Sequence, residues 1–94
     1  MKKFLVEVPH DEKEIPCAHA VLSFLNSGSH ILQHAEWGCR DGVHKCWVIL
    51  EGETLEDARR VLPPLLRSDA KVIGLNRFTR EEMEAVIGQR VAVA

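Results

Sequence analysis

The first third of the chain changes from a two-residue to a helical period of apolar positions. Residues 3–9, KFLVEVP, predict a strand that places Phe4, Val6 and Val8 on one face. A helix is predicted from Glu14 to Asn26, ended by the turn-forming residues that follow it. Its apolar positions recur at helical spacing: Ile15, Ala18, Val21, Leu22 and Leu25. We expect this stripe to be the buried face of the helix.

Two further strands are predicted, the second of the chain from His30 to Cys39 and the third from Val43 to Leu50 or Glu51. The pair Asp41-Gly42 lies between them. An Asp-Gly pair between two apolar runs is a strong signal for a two-residue hairpin turn of type I′, because these residue types accept positive φ angles. The pattern therefore predicts an antiparallel hairpin that turns at this pair.

The second half of the chain predicts a helix and a fourth strand. Thr54 caps the helix, with Asp57 in a near-capping-box position. Pro63-Pro64 should end or kink this helix, because each proline lacks an N–H and restricts the residue before it. Residues 71–78, KVIGLNRF, then predict the last strand.

A short third helix closes the pattern, opened by the capping-box sequence that begins at Thr79. The tail from Gly88 to Ala94 is mildly apolar, and we expect it to fray or to dock on a partner. The order strand, helix, strand, strand, helix, strand predicts one α+β domain over residues 1–94. With right-handed crossovers this is a ferredoxin-like plait, a four-stranded antiparallel sheet with helices on one face. The other face is then polar or covered, and a second copy is the expected cover.

Composition and charge narrow the function classes. The formal net charge is −2, and Lys and Arg are scattered, which argues against a nucleic-acid partner. The apolar run at the N-terminus ends at Glu7, too early for a signal peptide, and no stretch reaches the ~20 apolar residues that cross a bilayer. We expect a cytoplasmic protein, mature as written, that does not engage membranes. Its three cysteines are then expected as free thiols or ligands rather than disulfides.

Residues 34–47, HAEWGCRDGVHKCW, concentrate the candidate chemistry. With a two-residue turn, Cys39 pairs with His44 and Trp37 with Cys46, and all four side chains share one face. Two thiols and an imidazole then form a partial ligand set for zinc, nickel or copper. The set needs a fourth ligand from elsewhere in the chain.

A three-residue turn gives a different site, because a one-residue slip moves side chains to the other face. His34, Glu36, His44 and Cys46 would then share a face, as in an open metal or acid–base site. A third interpretation treats the cysteines as small apolar core residues, which is common for this residue type. Outside the hairpin, Cys17 is expected to be an inert cysteine on a packed helix, and its region lacks the paired-cysteine motif of metal-transfer plaits.

The runs WGCRDGVHKCW and VLPPLLRSDAKVIGLNRFT resemble small uncharacterised bacterial proteins with a ferredoxin-like plait. These are similar in layout to the dimeric α+β barrel superfamily, which includes muconolactone-isomerase-like enzymes, small monooxygenases and a nickel-binding member. The resemblance covers about residues 3–85. It implies a homodimer whose two sheets face each other and enclose a cleft, but it carries no single activity, since architecture does not determine function.

Two functions from different classes follow. The first is a homodimeric binding module that holds a metal ion, such as zinc or nickel, or a small apolar ligand at the sheet face. Its candidate residues are the metal ligands His34, Cys39, His44 and Cys46 and the ligand-binding tryptophans Trp37 and Trp47. The second is a small cofactor-independent isomerase or monooxygenase with His34 and Glu36 as acid–base residues. A purely structural or interaction domain remains the third possibility.

Overall fold

The computed structural model describes residues 1–93, with side chains as far as Gln89. The described chain is α+β. Its regular elements are β1 Lys2–Pro9, α1 Glu14–Leu25, β2 Glu36–Trp37, β3 Lys45–Gly52, α2 Leu55–Arg60, β4 Lys71–Leu75 and α3 Arg80–Val93. Short 3-10 turns lie at Leu32–His34, Cys39–Asp41 and Pro64–Leu66. Ala94, the last residue of the tail that was predicted to fray or dock, lies outside the described residues.

The four strands form one antiparallel sheet in the order β2-β3-β1-β4. Strand β1 is central, and its Val6 lies between Val48 of β3 and Val72 of β4. The predicted antiparallel four-stranded sheet is therefore confirmed. Because side chains alternate along each strand, these three valines point to the same face.

The hydrophobic core lies on that face, beneath α1 and α2. Each helix contributes a buried residue to it, Phe24 from α1 and Ala58 from α2. The buried core residues are Phe4, Val6, Val8, Phe24, Leu32, Cys46, Val48, Leu50, Ala58, Leu62 and Ala70. Full burial of one large aliphatic or aromatic side chain is worth about 1.5–3 kcal/mol, so this layer supplies the main folding free energy.

The buried face of α1 is not the predicted stripe. Ile15 is 65% exposed, and Leu22 and Leu25 are each about half exposed. Ala20 and Phe24 are buried instead, and Phe24 meets the ring of Trp37 edge to face at 5.1 Å between centroids. The helix carries two competing apolar faces, and the aromatic pair favours the one that holds Phe24, since aromatic side chains bury the largest area.

The second predicted strand, from His30 to Cys39, is wrong over most of its length. Only Glu36–Trp37 forms a strand, and Leu32–His34 forms a 3-10 turn. The hydroxyl of Ser29 accepts a hydrogen bond from the Leu32 backbone N–H at 3.3 Å, and the Leu32 side chain is buried in the core. The 3-10 turn is the local conformation that brings the Leu32 side chain into the core on the helix side of the sheet.

The hairpin has the register predicted for a two-residue turn, but the turn itself is different. Trp37 pairs with Cys46, as that register requires. Cys39–Asp41 forms a 3-10 turn, and only Gly42 has a positive φ, of 80°. A type I′ turn needs positive φ at both central residues, so that prediction is wrong. The connection is a longer loop that begins at Gly38.

The end signals of the later elements are confirmed. Both hydrogen bonds of the α2 capping box are present, at 3.1 and 3.2 Å between Thr54 and Asp57, and α2 ends before Pro63-Pro64. The hydroxyl of Thr79 accepts from the Glu82 backbone N–H at 3.1 Å at the start of α3. Strand β4 is shorter than predicted, and α3 is longer. Within residues 1–93, no helix has both the length and the apolar character needed to cross a bilayer.

Candidate metal centre

Four side chains from three separate parts of the chain converge at one end of the sheet. They are His10, Cys17, Cys39 and His44, and all four are half-buried. Each offers one ligand atom, and these atoms all lie within 4.8 Å of one another. Two imidazoles and two thiols at this spacing are a complete donor set for a transition-metal ion.

The two histidines meet because the β1–β3 ladder continues past its last assigned pair. That pair is Pro9 with Lys45, and the next backbone N–H, of His10, donates to the carbonyl oxygen of His44 at 3.0 Å. The rings lie 5.4 Å apart between centroids, nearly perpendicular. By the alternation of strand side chains, both fall on the core side of the sheet.

Cys17 comes from the first turns of α1, on the side that faces the sheet. It precedes the buried Ala20 and Phe24 by three and seven positions, so all three lie on one helix face. Its Sγ lies 3.2 Å from Nε2 of His10. The rotation of α1 that buries Phe24 therefore also brings this thiol to the histidines.

Cys39 comes from the loop between β2 and β3. The carbonyl oxygen of Gly38 accepts hydrogen bonds from the backbone N–H groups of Asp41 and Val43, each at 3.0 Å. This folds the loop tightly over Gly38 and directs Cys39 inward, where its Sγ lies 3.2 Å from His10 Nε2. His10 thus contacts both thiols with one nitrogen atom.

The surroundings favour uncharged side chains in the absence of a cation. Burial lowers the pKa of His10, the charge of His44 acts in the same direction, and Asp11 opposes them in part. Burial raises the pKa of the Cys17 thiol, and its hydrogen bond with Cys39 acts in the same direction. Nδ1 of His10 and Nδ1 of His44 are both buried without a hydrogen-bond partner among the described residues. An unpaired buried nitrogen costs roughly 1–3 kcal/mol, so these two nitrogen atoms reduce the stability of the metal-free cluster.

The distances suit tetrahedral coordination. Metal–sulfur bonds of about 2.3 Å and metal–nitrogen bonds of about 2.0 Å place tetrahedral ligand atoms roughly 3.3–3.8 Å apart. The two sulfur–nitrogen distances of 3.2 Å are already close to this range. The widest separation, within 4.8 Å, closes with side-chain movements of about an ångström.

Aromatic rings close the core side of the cluster. Trp37 lies with its ring centroid 5.5 Å from that of His10, at a steep angle, and it also packs on Phe24. On the other side of His10 a cavity of about 700 Å³ separates α1 from the segment that contains Pro63-Pro64. The cluster therefore has a water-excluding wall on one side and an open approach on the other.

Two of the four predicted metal ligands belong to this cluster, Cys39 and His44. Cys46 lies fully buried in the core, where burial and the nearby Cys39 raise the pKa of its thiol to about 12. Its sulfur is not among the four ligand atoms that converge within 4.8 Å. His34 lies on the 3-10 turn Leu32–His34 with its side chain exposed, and it is not one of the four ligands.

The predicted catalytic and ligand-binding residues are spread over both faces. Glu36 is exposed, like His34, and neither lines the cavity beside His10 or the cavity beside Arg77. Trp37 faces the core, whereas Trp47 lies on the opposite face and donates from Nε1 to Glu7 Oε1 at 3.1 Å. The two tryptophans therefore do not line one common pocket.

His10 and Cys17 were not among the metal ligands predicted from the sequence. His10 follows the first strand directly, at the same parity as the core residue Val8, which places it on the core side. This parity predicts that His10 lies on the core side, but only the pairing of β1 with β3 shows that it lies beside His44. Cys17 was expected to be an inert cysteine, and the predicted buried stripe of α1 gave no indication that its thiol faces the sheet.

The chain was compared with protein-family profiles, with curated proteins and with solved structures, and none of the three comparisons found a match. The geometry of the described residues is therefore the basis for any functional conclusion.

Proposed function

We propose that this protein binds one zinc ion through His10, Cys17, Cys39 and His44. The observation that carries the proposal is the convergence of four donor atoms within 4.8 Å. Sequence proximity does not explain this convergence, since His10 and His44 are far apart in the chain and meet only in the folded protein. The cluster is also the only such group of three or more potential ligands among residues 1–93.

The donor set favours zinc over the other candidate metals. Two thiolates and two imidazoles in a tetrahedral arrangement are a common zinc set, whereas nickel(II) and copper(II) more often take square-planar or tetragonal nitrogen and oxygen ligands. Neutral imidazole is the form that coordinates, and the lowered pKa of His10 favours it at neutral pH. Free thiols suit a reducing compartment, so a cytoplasmic location remains part of the proposal.

We assign the ion a structural role. Four protein ligands leave no open coordination position, which is the arrangement of structural rather than catalytic zinc sites. The ligands come from the end of β1, the first turns of α1, and the loop that leads from β2 into β3. One ion would tie these three segments together, and a small core benefits most from such a link.

We further infer that the fold is a ferredoxin-like plait. Its support is the strand order β2-β3-β1-β4 with α1 between β1 and β2 and α2 between β3 and β4. Both helices bury residues in one core cluster, as helices on a common face do. Membership of the dimeric α+β barrel superfamily stays a prediction.

Elemental analysis of protein purified without an affinity tag tests the zinc site. We expect one zinc per chain in the wild type, retained against a moderate chelator. Cys17→Ser and His10→Ala should each lose it to the same chelator, because a missing metal ligand costs more affinity than the roughly 10–100-fold that loss of an outer-shell partner costs. Cobalt substitution should give the intense visible bands of a tetrahedral thiolate site in the wild type but not in Cys17→Ser or His10→Ala.

Two control variants keep the test specific. Cys46→Ala removes a thiol outside the cluster, and His34→Ala removes an exposed imidazole, so both should keep stoichiometric zinc. Circular dichroism verifies that each variant is folded. A wild type that binds no zinc would overturn the proposal. So would zinc that is lost in Cys46→Ala but retained in Cys17→Ser.

A further inference from the structure

The isolated chain is too extended for a domain of its length. Its Cα radius of gyration is 17.5 Å, and its principal dimensions are 58 × 28 × 20 Å. A folded domain of this length has a radius of gyration of about 12 Å. Its accessible surface is 7243 Å², whereas a folded monomer of this mass exposes about 5,500 Å². One copy therefore leaves about 1,800 Å² of surface that a finished domain would cover.

Helix α3 accounts for much of this extension. Each of its described side chains, from Arg80 to Gln89, is exposed. Met83, Val86 and Ile87 follow the spacing that puts three residues on one helix face, and they are 39%, 51% and 63% exposed. A helix of this length is about 21 Å long, so it presents an apolar stripe that no described element of its own chain covers.

The second uncovered surface is the sheet face opposite α1 and α2. Leu5 of β1 pairs with Ile49 of β3 and with Ile73 of β4, so the three side chains form a row across this face. Ile49 and Ile73 are both substantially exposed, although they lie in the middle of their strands. An antiparallel sheet with an apolar row on its open face is typical of a contact surface.

The open sheet face carries charges of both signs, with an excess of positive charge at one end. Lys3 and Lys71 lie on either side of the apolar row, and their cross-strand neighbours are Glu51 and Glu7. At the Lys3 end, a cavity of about 1000 Å³ is lined by Lys2, Lys3 and Arg77 together with Ile49. The described side chains of α3 include three acidic residues and one basic residue, which are Glu81, Glu82, Glu84 and Arg80. An acidic, apolar helix is attracted to the basic end of an apolar sheet face.

We propose that a second copy of this chain covers the open sheet face, and that α3 of each copy packs on the sheet of the other. The contact is isologous, so both helices and both sheets are covered at once. A stable interface needs about 800 Å² from each partner, well within the excess of about 1,800 Å². The metal cluster lies on the other side of the sheet, so this interface does not depend on zinc.

Light scattering of the zinc-loaded full chain at micromolar concentration tests the assembly. We expect a dimer of the 10.6 kDa chain. Val86→Glu places a charge in the apolar stripe and should raise the dissociation constant at least about tenfold, since a buried unpaired charge costs more than 1.4 kcal/mol. Ala85→Glu adds the same charge on the opposite side of α3 and should leave the dimer unchanged.

A charge exchange tests the partner surface. The double change Glu82→Lys with Glu84→Lys should weaken the dimer, and the further change Lys2→Glu with Arg77→Glu, at the basic end of the sheet face, should restore it in part. Helicity and zinc content identify variants that misfold. A monomeric wild type would overturn the proposal, including one in which α3 folds on its own sheet and the radius of gyration in solution falls to about 12 Å. A dimer that Val86→Glu does not weaken would also overturn it.

Discussion

The three cysteines of this chain lie in two different surroundings, and these determine their chemistry. Cys46 is fully buried among core side chains, and burial raises the pKa of its thiol to about 12. Cys17 and Cys39 are half-buried and both contact Nε2 of His10 at 3.2 Å. A protonated core thiol packs like a small apolar side chain, whereas two thiols beside two imidazoles can release their protons to solvent when a metal ion binds.

Glu7 on the open sheet face gives a prediction about pH. Its carboxylate accepts from Nε1 of Trp47 and lies 3.6 Å from Nζ of Lys45. The Trp47 hydrogen bond, followed by Lys45, lowers the pKa of Glu7 below its ordinary value of 4.5. The stabilisation is therefore fully present above pH 4.5 and is lost as the pH falls through the lower folded-state pKa.

Glu7→Gln should therefore flatten the dependence of the unfolding free energy on pH below 4.5. Denaturant unfolding at a series of pH values from neutral to acid measures this. Glu51→Gln, an exposed carboxylate on the same sheet face, is the matched control and should keep the wild-type slope. An equal change of slope in both variants would contradict the role of the Trp47 hydrogen bond.

The loop between β2 and β3 is where local conformation positions the site. Gly42 has the positive φ expected for its place after a turn, but the closest packing is at Gly38. A Cβ atom at Gly38 would lie 2.8 Å from the carbonyl oxygen of Val43, a backbone atom that cannot move without the loop. Cys39 follows directly, so the loop and the metal ligand share one conformation.

Gly38→Ala should therefore reduce both stability and zinc affinity. We expect a loss of about 1–3 kcal/mol in the unfolding free energy, as for other overpacked sites, with weaker zinc binding in a chelator competition. Gly88→Ala is the control, because nothing lies within 4 Å of its added Cβ, and alanine favours a helix by up to about 1 kcal/mol. Unchanged zinc affinity in Gly38→Ala would show that the loop does not hold Cys39 in place.

The helix signals illustrate how far local sequence predicts an element. Thr54 and Asp57 form their capping box, and Thr79 caps α3, because each uses atoms within one turn of the chain. The buried face of α1 was predicted wrongly, since it depends on which aromatic side chain meets Phe24 from another element. Capped helix starts follow from local chemistry, and the orientation of a helix on the core does not.

At the scale of the whole molecule, zinc should act as a folding ligand. An ion that binds only the folded chain adds about 4 kcal/mol at a free concentration a thousandfold above its Kd, which raises the Tm by roughly 15 °C or more. We expect this rise in the wild type and almost none in Cys17→Ser. Thermal unfolding followed by circular dichroism, with and without zinc, measures both. An equal rise in the two proteins would place the binding elsewhere.

The chain by itself determined three of the four strands, the helices and the antiparallel sheet, because alternation and capping depend on neighbouring residues. It left two hairpin registers open, and the one that places Cys39 near His44 is the register of the structure. Only the tertiary structure decided that His10 faces His44 and that Cys17 points inward. Those contacts depend on the pairing of β1 with β3 and on the rotation of α1. Both are set by long-range packing free energy, which no local pattern contains.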